Sequence, residues 1–470
     1  MYAAPCRYNG SAVVDNDDGG ESVEDVVRKT QSLCPVCARD VEGAVVVSEG
    51  KAYLTRRCPE HGSYRFLLSE HGELYADLDR FFTKLKAFAR PDRVTNVWIL
   101  VTSECQQDCP YCSAEIRRGL YGEMTWPEVL GILDKYGDVK YTISGGEPTL
   151  YPHVLDFFRE AARRGYTTQL ATNGVRLASR EFCRELKEAG VREVRISLES
   201  VHREEAEALN LGEYFEPKLE AIRNIGEEGM VATLSPTIFK GLNEEQLFHI
   251  LEYAKDKPYI RELTVAGFAW NGTGVGLPPG MMIAPDEMMD VIHRHYYQGD
   301  RKDLFTFQKA MFAILHVRGF RLCLNSQVMI FARDKGGELR PIIDFVNMRR
   351  MDKGLGWWSR LGIRNRWLGG ALLLPVLAAG LSLRTVPLIP TLLHLLWANL
   401  AQLDVHRYPA RLVALIVNTN CSTLNADEMV GPQCMNGVAY KIAGQVEDTN
   451  ASKAFLDRKS TRLNSSHTIQ

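Results

Sequence analysis

The sequence is short of several things at once. It carries almost no net charge, −2 over 470 residues, so no global electrostatic reason to bind nucleic acid exists. No secretory apolar leader opens it, and five of its eleven cysteines fall in one close pair, Cys34 and Cys37, and a triplet. That pattern fits metal binding in a reducing cytoplasm better than a disulfide framework. No cysteine stands between Cys58 and Cys105. Long apolar runs are missing too. "WLGGALLLPVLAAGLSL" has seventeen residues without charge and, after Arg384, "TVPLIPTLLHLLWANLAQL" has nineteen. Each is near the lower limit for a membrane span, and Pro375, Pro387 and Pro390 interrupt them.

What is present divides the chain. Residues 1–28, with "DNDDGGESVED", have too few apolar residues to pack and read as a mobile tail. Residues 29–75 hold "CPVC", the strand-like "GAVVV" and "KAYLTRR", and "CPEHG", a small metal-binding ribbon. From about 94 to 270, apolar strand-like runs alternate with amphipathic helical runs, within a core domain taken as 94–310. The strand candidates are "NVWILVTSE", "VKYTISGGE", "YTTQLATNG", "EVRISLES", "VATLSPTIF" and "RELTVAGFA". Between them, "TWPEVLGILDKYG" offers Thr125 as a cap and Pro127 for a first turn, and "PHVLDFFREAARRG" ends on Gly165. Six βα units predict an α/β fold, a partial (β/α)6 barrel of TIM-like type. Residues 311–457 form a mixed C-terminal region with an apolar helical segment at 357–403. Residues 458–470, "KSTRLNSSHTIQ" after Arg458, read as a non-native tail beyond Asp457.

In a parallel barrel, chemistry collects where strands end. The first candidate strand runs into "SECQQDCPYCSAE", with Cys105, Cys109 and Cys112 and no fourth cysteine beside them. A closed structural zinc site normally takes four protein ligands, so this triplet is one short. The second strand ends in "SGGEP", the third in "TNG", and the fourth bears Ser197 and Glu199. Polar or glycine-rich ends on successive strands make a site.

These residues resemble the radical SAM superfamily, whose CxxxCxΦC signature, with an aromatic Φ, is met by Cys105, Cys109, Tyr111 and Cys112. The resemblance implies that the three cysteines hold three irons of a [4Fe–4S] cluster and that S-adenosylmethionine (SAM) takes the fourth. It further implies that Gly145 and Gly146 let backbone approach SAM and that Glu147 receives its ammonium. Asn173 at the third strand end joins the cofactor-binding set, Ser197 and Glu199 bind ribose, and Tyr111 sits near adenine. A low-potential electron donor such as ferredoxin or flavodoxin is the implied partner.

Cys34, Cys37, Cys58 and His61 read CxxC, then CxxH, a set suited to a structural Zn²⁺ or a mononuclear iron. "SLCPVC" and "RRCPEHG" before such a core resemble the tetraether lipid synthase group, which includes proteins described as pterin methyltransferases. Only Cys323, Cys421 and Cys434 follow the barrel in positions that could ligate an auxiliary cluster. Before the apolar segment, Arg349, Arg350, Lys353, Arg360, Arg364 and Arg366 interleave with Trp357, Trp358 and Trp367, the composition of a helix in a headgroup layer. The sequence reading is therefore a cytoplasmic radical SAM enzyme, peripheral on a membrane, activating C–H bonds of a lipid-like alkyl chain. A pterin or peptide substrate, or a non-enzymatic iron–sulfur electron carrier, are the alternatives.

Overall fold

The structure is a computed structural model that describes residues 25–33, 40–85, 96–112, 123–268, 276–318, 324, 326–334, 336–391, 393, 405–418 and 440–443. Cys34, Cys37, Cys323, Cys421 and Cys434, residues 1–24, most of the second apolar run and the 458–470 tail lie outside the described residues.

Strands β1 (Asp25–Leu33), β2 (Asp40–Ser48), β3 (Lys51–Cys58) and β4 (Gly62–Ser69) form an antiparallel sheet in chain order. In β3, Ala52, Leu54, Arg56 and Cys58 alternate as its buried positions, the period of a strand with one face covered. Helix α1 (Gly72–Leu85) follows this ribbon, and its buried side includes Phe81 and Phe82.

The main sheet sets β5 (Asn96–Thr102), β6 (Lys140–Gly145), β7 (Thr168–Thr172), β8 (Glu193–Ile196), β9 (Val231–Leu234) and β11 (Ile260–Gly267) side by side and parallel, with the short β10 (Thr237–Ile238) beside β11. Each of the six strand candidates supplies one of these six strands. The crossovers carry α2 (Trp126–Tyr136), α3 (Val154–Arg163), α4 (Arg180–Glu188), α5 (Arg203–Ala208), α6 (Phe215–Glu227) and α7 (Gln246–Ala254). At the start of α2, Thr125 N and Oγ1 both donate to Glu128 Oε2, at 2.8 and 2.7 Å, so the expected cap is made. Four more helices and four more strands follow: α8 (Pro285–Tyr296), α9 (Arg301–Val317), β12 (Gln327–Arg333), β13 (Leu339–Pro341), α10 (Met348–Arg360), α11 (Arg366–Ala379), β14 (Leu412–Asn418) and β15 (Tyr440–Ala443). β14 lies parallel on β11, β12 and β13 continue antiparallel, and β15 lies parallel on β5. Among the described residues the sheet does not close; β13 and β15 are its two ends.

The two faces of this sheet differ. Val97, Ile99, Tyr141, Ile143, Leu170, Val194, Ile196 and Leu263 are fully buried in the core that joins sheet to helices. The positions between them carry Trp98, Lys140, Thr142, Gln169, Glu193, Arg195, Thr233, Glu262 and Thr264. This face is concave. A flat sheet would hold β5 and β8 about 14 Å apart, yet the Arg195 guanidinium carbon lies 5.7 Å from the centre of the Trp98 ring.

Helix α9 organises the C-terminal helices, packing on α1, α10 and α11. Lys309 of α9, nearly buried, reaches Asp77 at 2.5 Å and Asp352 at 3.2 Å. The ribbon is tied to α8 as well: Asp286 Oδ2 accepts from Ser69 Oγ at 2.6 Å and from Glu70 N at 2.8 Å, and His71 Nε2 lies 3.2 Å from Asp290. Burial pushes the Asp286 carboxyl up to about 6.

The headgroup-layer expectation needs a correction at one residue. Trp358 is buried, 3 % exposed, and its indole N–H donates to Gly369 O at 2.9 Å, fixing α10 against α11. With Met348, Met351 and Leu355 it forms the inner side of α10. Trp357 and Trp367 do face outward, with Trp367 77 % exposed. Among the described residues no helix is long and apolar enough to cross a membrane.

Candidate active site

The chain leaves β5 at Thr102 and runs through the three cysteines. The turn after β6 lies directly against this exit. Gly146 N donates to Thr102 O at 2.8 Å and Glu147 N to Glu104 O at 2.7 Å. A Cβ on Gly145, whose φ is +148°, would stand 2.3 Å from Thr102 O, and one on Gly146 2.3 Å from Glu104 O. Only glycine allows such an approach. The close approach these glycines make possible here is to the cysteine loop.

Glu147 is held from several sides. Its side chain, expected to receive an ammonium, is fully buried and engaged by four donors. Oε1 accepts from Thr149 N at 3.0 Å, Thr149 Oγ1 at 2.6 Å and Thr172 Oγ1 at 2.6 Å, and Oε2 accepts from Asn173 N at 2.7 Å. Burial pushes this carboxyl up, and the four hydrogen bonds oppose that shift. Glu147 thus joins the ends of β6 and β7, and holds Asn173 in place.

Asn173 in turn reaches the cysteine loop. Its Nδ2 donates to Cys105 Sγ at 3.7 Å, and its Oδ1 accepts from Gln106 Nε2 at 3.3 Å. Cys105 Sγ also accepts from Gln107 N at 3.4 Å, the Cys109 thiol faces Gln107 Oε1 at 3.8 Å, and Cys112 N donates to Cys109 O at 3.2 Å. Tyr214, just before α6, donates its hydroxyl to Gln106 O at 2.9 Å. Burial pushes the Cys109 thiol up to about 12 and that of Cys105 above its ordinary value. Among the described residues no three His, Cys, Asp or Glu side chains form a preformed metal cage. The structure brings the three thiols onto one loop without gathering them.

Tyr111 turns into an apolar cluster with Leu209, Leu211 and Phe268, its ring edge-on to Phe239 at 5.0 Å. Burial, and then the neighbouring Glu199, push its hydroxyl well above the ordinary value. Ser197 and Glu199, read as ribose binders, are both engaged by Lys218, whose Nζ donates to Ser197 Oγ at 3.2 Å and to Glu199 Oε2 at 2.9 Å. This ion pair is buried, at 4 % and 5 % exposure. The sequence reading missed Lys218. A signal was there, since it interrupts the buried stripe Phe215, Ala221, Ile222, Ile225 of α6.

In the ribbon, Cys58 Sγ lies 3.4 Å from His61 Nδ1 across the "CPEHG" turn, so half of the expected four-ligand set is adjacent. Cys34 and Cys37 are outside the described residues.

The chain matches the radical SAM superfamily over residues 99–254 and the HMPTM N-terminal zinc ribbon domain over residues 26–70. It is similar to the 7,8-dihydro-6-hydroxymethylpterin dimethyltransferase of Methanocaldococcus jannaschii, 26% identical over 259 residues that make up 49% of this chain and 50% of that protein. It is also similar to a probable GTP 3',8-cyclase of Thermococcus kodakarensis, 30% identical over 180 residues, 37% of this chain and 57% of that protein. Among solved structures, SuiB of Streptococcus suis bound to its precursor peptide SuiA is similar at 15% identity with a TM-score of 0.35, over 46% of this chain and 48% of that one. The chain thus spans between half and two thirds of the length of these curated relatives.

A radical SAM domain implies a [4Fe–4S] cluster and SAM, and a zinc ribbon implies a structural zinc. The residues fit the cluster. The Cys105 and Cys109 thiols are costly to ionise alone, and bound iron supplies the positive charge that makes thiolates stable. In the same loop Gln106 Oε1 is buried without a hydrogen-bond partner, an acceptor in want of a donor.

Proposed function

We propose, from the premise that this is a radical SAM protein of the pterin methyltransferase-like group, that it is an enzyme activating a C–H bond of a pterin-class substrate held on the concave face of its sheet. When bound, the cluster and SAM supply the reductive cleavage that yields a 5'-deoxyadenosyl radical, with the electron coming from a low-potential donor such as ferredoxin or flavodoxin. The chain's own residues position these groups. Cys105, Cys109 and Cys112 ligate iron. Gly145 and Gly146 lay their turn against the cysteine loop, and Glu147 acts by fixing Thr172 and Asn173 rather than by touching a ligand. Ser197, Glu199 and Tyr111 shape the far side around Lys218. Cys34, Cys37, Cys58 and His61 hold the ribbon's zinc.

The observation that carries the substrate reading is the polarity of the concave face. A barrel interior built for stability alone is layered with Val, Ile and Leu. Here the inward positions hold two acids, two bases, and hydroxyl and amide side chains, among them the Lys140–Glu193 pair at 2.9 Å. Such a face suits a polar heterocycle and not an alkyl chain. The test is anaerobic reconstitution, reduction, and incubation with SAM and 7,8-dihydro-6-hydroxymethylpterin carrying deuterium at its carbons. Deuterium should appear in 5'-deoxyadenosine, and Cys105→Ala, Cys109→Ala or Cys112→Ala should abolish cleavage. Full SAM cleavage by any of these variants removes the assignment.

A second reading concerns location. The outer side of α11 exposes Trp367, Leu368 and Leu374, and the following turn exposes Leu383 at 91 %. Arg349, Arg350, Lys353, Arg360 and Arg364 are exposed beside them on α10 and the turn after it. Exposed apolar side chains and cations on two helices packed together favour reversible seating on an anionic membrane, each charge contributing about 1 kcal/mol near the surface. The lipid-like substrate of the sequence reading draws its support from this outer face alone.

A further inference from the structure

The two ion pairs on the concave face are not alike. Lys140 Nζ lies 2.9 and 3.1 Å from the two oxygens of Glu193, which also accepts from Gln169 Nε2 and, at 3.2 Å, from Val405 N. That pair is closed on every side. Arg195 and Glu262 are 3.6 Å apart, beyond hydrogen-bond reach. Arg195 Nη2 turns instead to Thr264 Oγ1 at 3.3 Å, and Thr264 Oγ1 donates to Glu262 Oε1 at 2.7 Å.

What remains unused is the informative part. Among the described residues Arg195 Nε is buried without a hydrogen-bond partner, while its Nη2 donates to Thr264 and Glu262 accepts through Oε1. Thr233, which stands in register between Arg195 and Glu262 on the intervening strand, is fully buried with its Oγ1 unpartnered. Leaving Arg195 Nε and Thr233 Oγ1 buried and unpaired costs about 1–3 kcal/mol each, so their occurrence on neighbouring strands points to a ligand. Arg195 is still 15 % exposed, with the half-buried Trp98 ring beside it.

We infer that Arg195 and Glu262 together bind the cyclic amide edge of the substrate, Arg195 donating to its carbonyl oxygen and Glu262 accepting from the adjacent ring N–H, with Trp98 against the ring face. A donor and an acceptor side by side complement an edge that presents an acceptor and a donor side by side. A phosphate or carboxylate has no N–H to offer and would meet the acid unfavourably. Burial pushes the Glu262 carboxyl up, so an N–H donor also favours its charged form. The inference rests on the reading of the concave face as the substrate face, and it names the two residues that recognise the ligand.

Pterins and guanine share this edge, so two probes separate the sources: 7,8-dihydro-6-hydroxymethylpterin and guanosine, each measured by calorimetry on the cluster-loaded protein with SAM present. The expected result is that at least one binds, and that Arg195→Gln and Glu262→Gln each weaken it tenfold or more while iron content and melting temperature stay at the wild-type level. Arg195→Lys, which keeps the charge but loses the planar fork, should fall between; it carries the test if Arg195→Gln does not fold. Absence of binding by both probes, or wild-type affinity in both Gln variants, overturns the inference. Probe binding by a wild-type protein that does not cleave SAM would instead overturn the radical reading and leave this one standing.

Discussion

The concave face of the sheet and the outer side of α11 each break the rule that the other obeys. One is enclosed and charged; the other is open to solvent and apolar. Burying Lys140 with Glu193 contributes little net stability, because desolvation offsets most of their attraction. Exposing Trp367 and Leu374 contributes none. Neither arrangement adds much to the stability of the chain, and the two proposals above, a polar small molecule inside and an anionic surface outside, each give one of them a use.

The comparison can be broken from the inside first. Glu193→Ala would take from the buried Lys140 the carboxylate that faces it, and should lower unfolding free energy by about 3–5 kcal/mol in urea. A loss below 1 kcal/mol would mean that water reaches this layer. Next, Gly146→Ala drives a Cβ to within 2.3 Å of Glu104 O. It should cost roughly 1–3 kcal/mol and cut the iron retained by the cysteine loop; normal iron loading would show that the turn does not brace that loop.

A smaller effect lies at the seam between ribbon and barrel. The folded-state pKa of Asp286 is raised to about 6, above its unfolded value. The stability linked to it is therefore present in full at acid pH and is lost as pH rises through about 6, at no more than about 1.4 kcal/mol per pH unit. Comparing wild type with Asp286→Asn between pH 4 and 7 should show this slope in the wild type alone.

The smallest change in stability belongs to the outside. Trp367→Ser with Leu374→Ser should shift unfolding by no more than about 0.5 kcal/mol per site, yet abolish salt-sensitive flotation with anionic vesicles. Replacing Arg360, Arg364 and Arg366 by Gln should weaken flotation in the same way. If the wild-type protein does not float at low salt, the apolar side of α11 meets something other than a membrane.

Much of this was legible in the sequence, because the signals were periodic or local. The six parallel strands are apolar runs bounded by turn residues, and Thr125 with Glu128 announces a helix start within four positions. The cysteine triplet and the "GGEP" turn were legible for the same reason. Less visible was which way a side chain points once strands are neighbours. That Glu147 takes hydrogen bonds from Thr172 and Asn173 depends on the next strand, about 25 residues on. Lys218 meets Glu199 from a helix, and Trp358 is buried only because α11 returns over it. The polarity of the concave face was written in "VKYTIS" and "EVRIS" as an alternation, but an apolar strand in a parallel sheet is expected on both faces, and that expectation masked it.

The bridge from Lys309 to Asp77 joins residues 232 positions apart. The same pair of helices sets Phe82 against Phe312 at 5.2 Å and against His316 at 5.3 Å. During synthesis, then, the ribbon leaves the ribosome with the apolar side of α1 uncovered. That side stays uncovered until α9 has been made, a wait on the order of tens of seconds at the usual pace of translation. A helix made early thus waits for a partner made 232 positions later, and the nascent chain is vulnerable there throughout that interval.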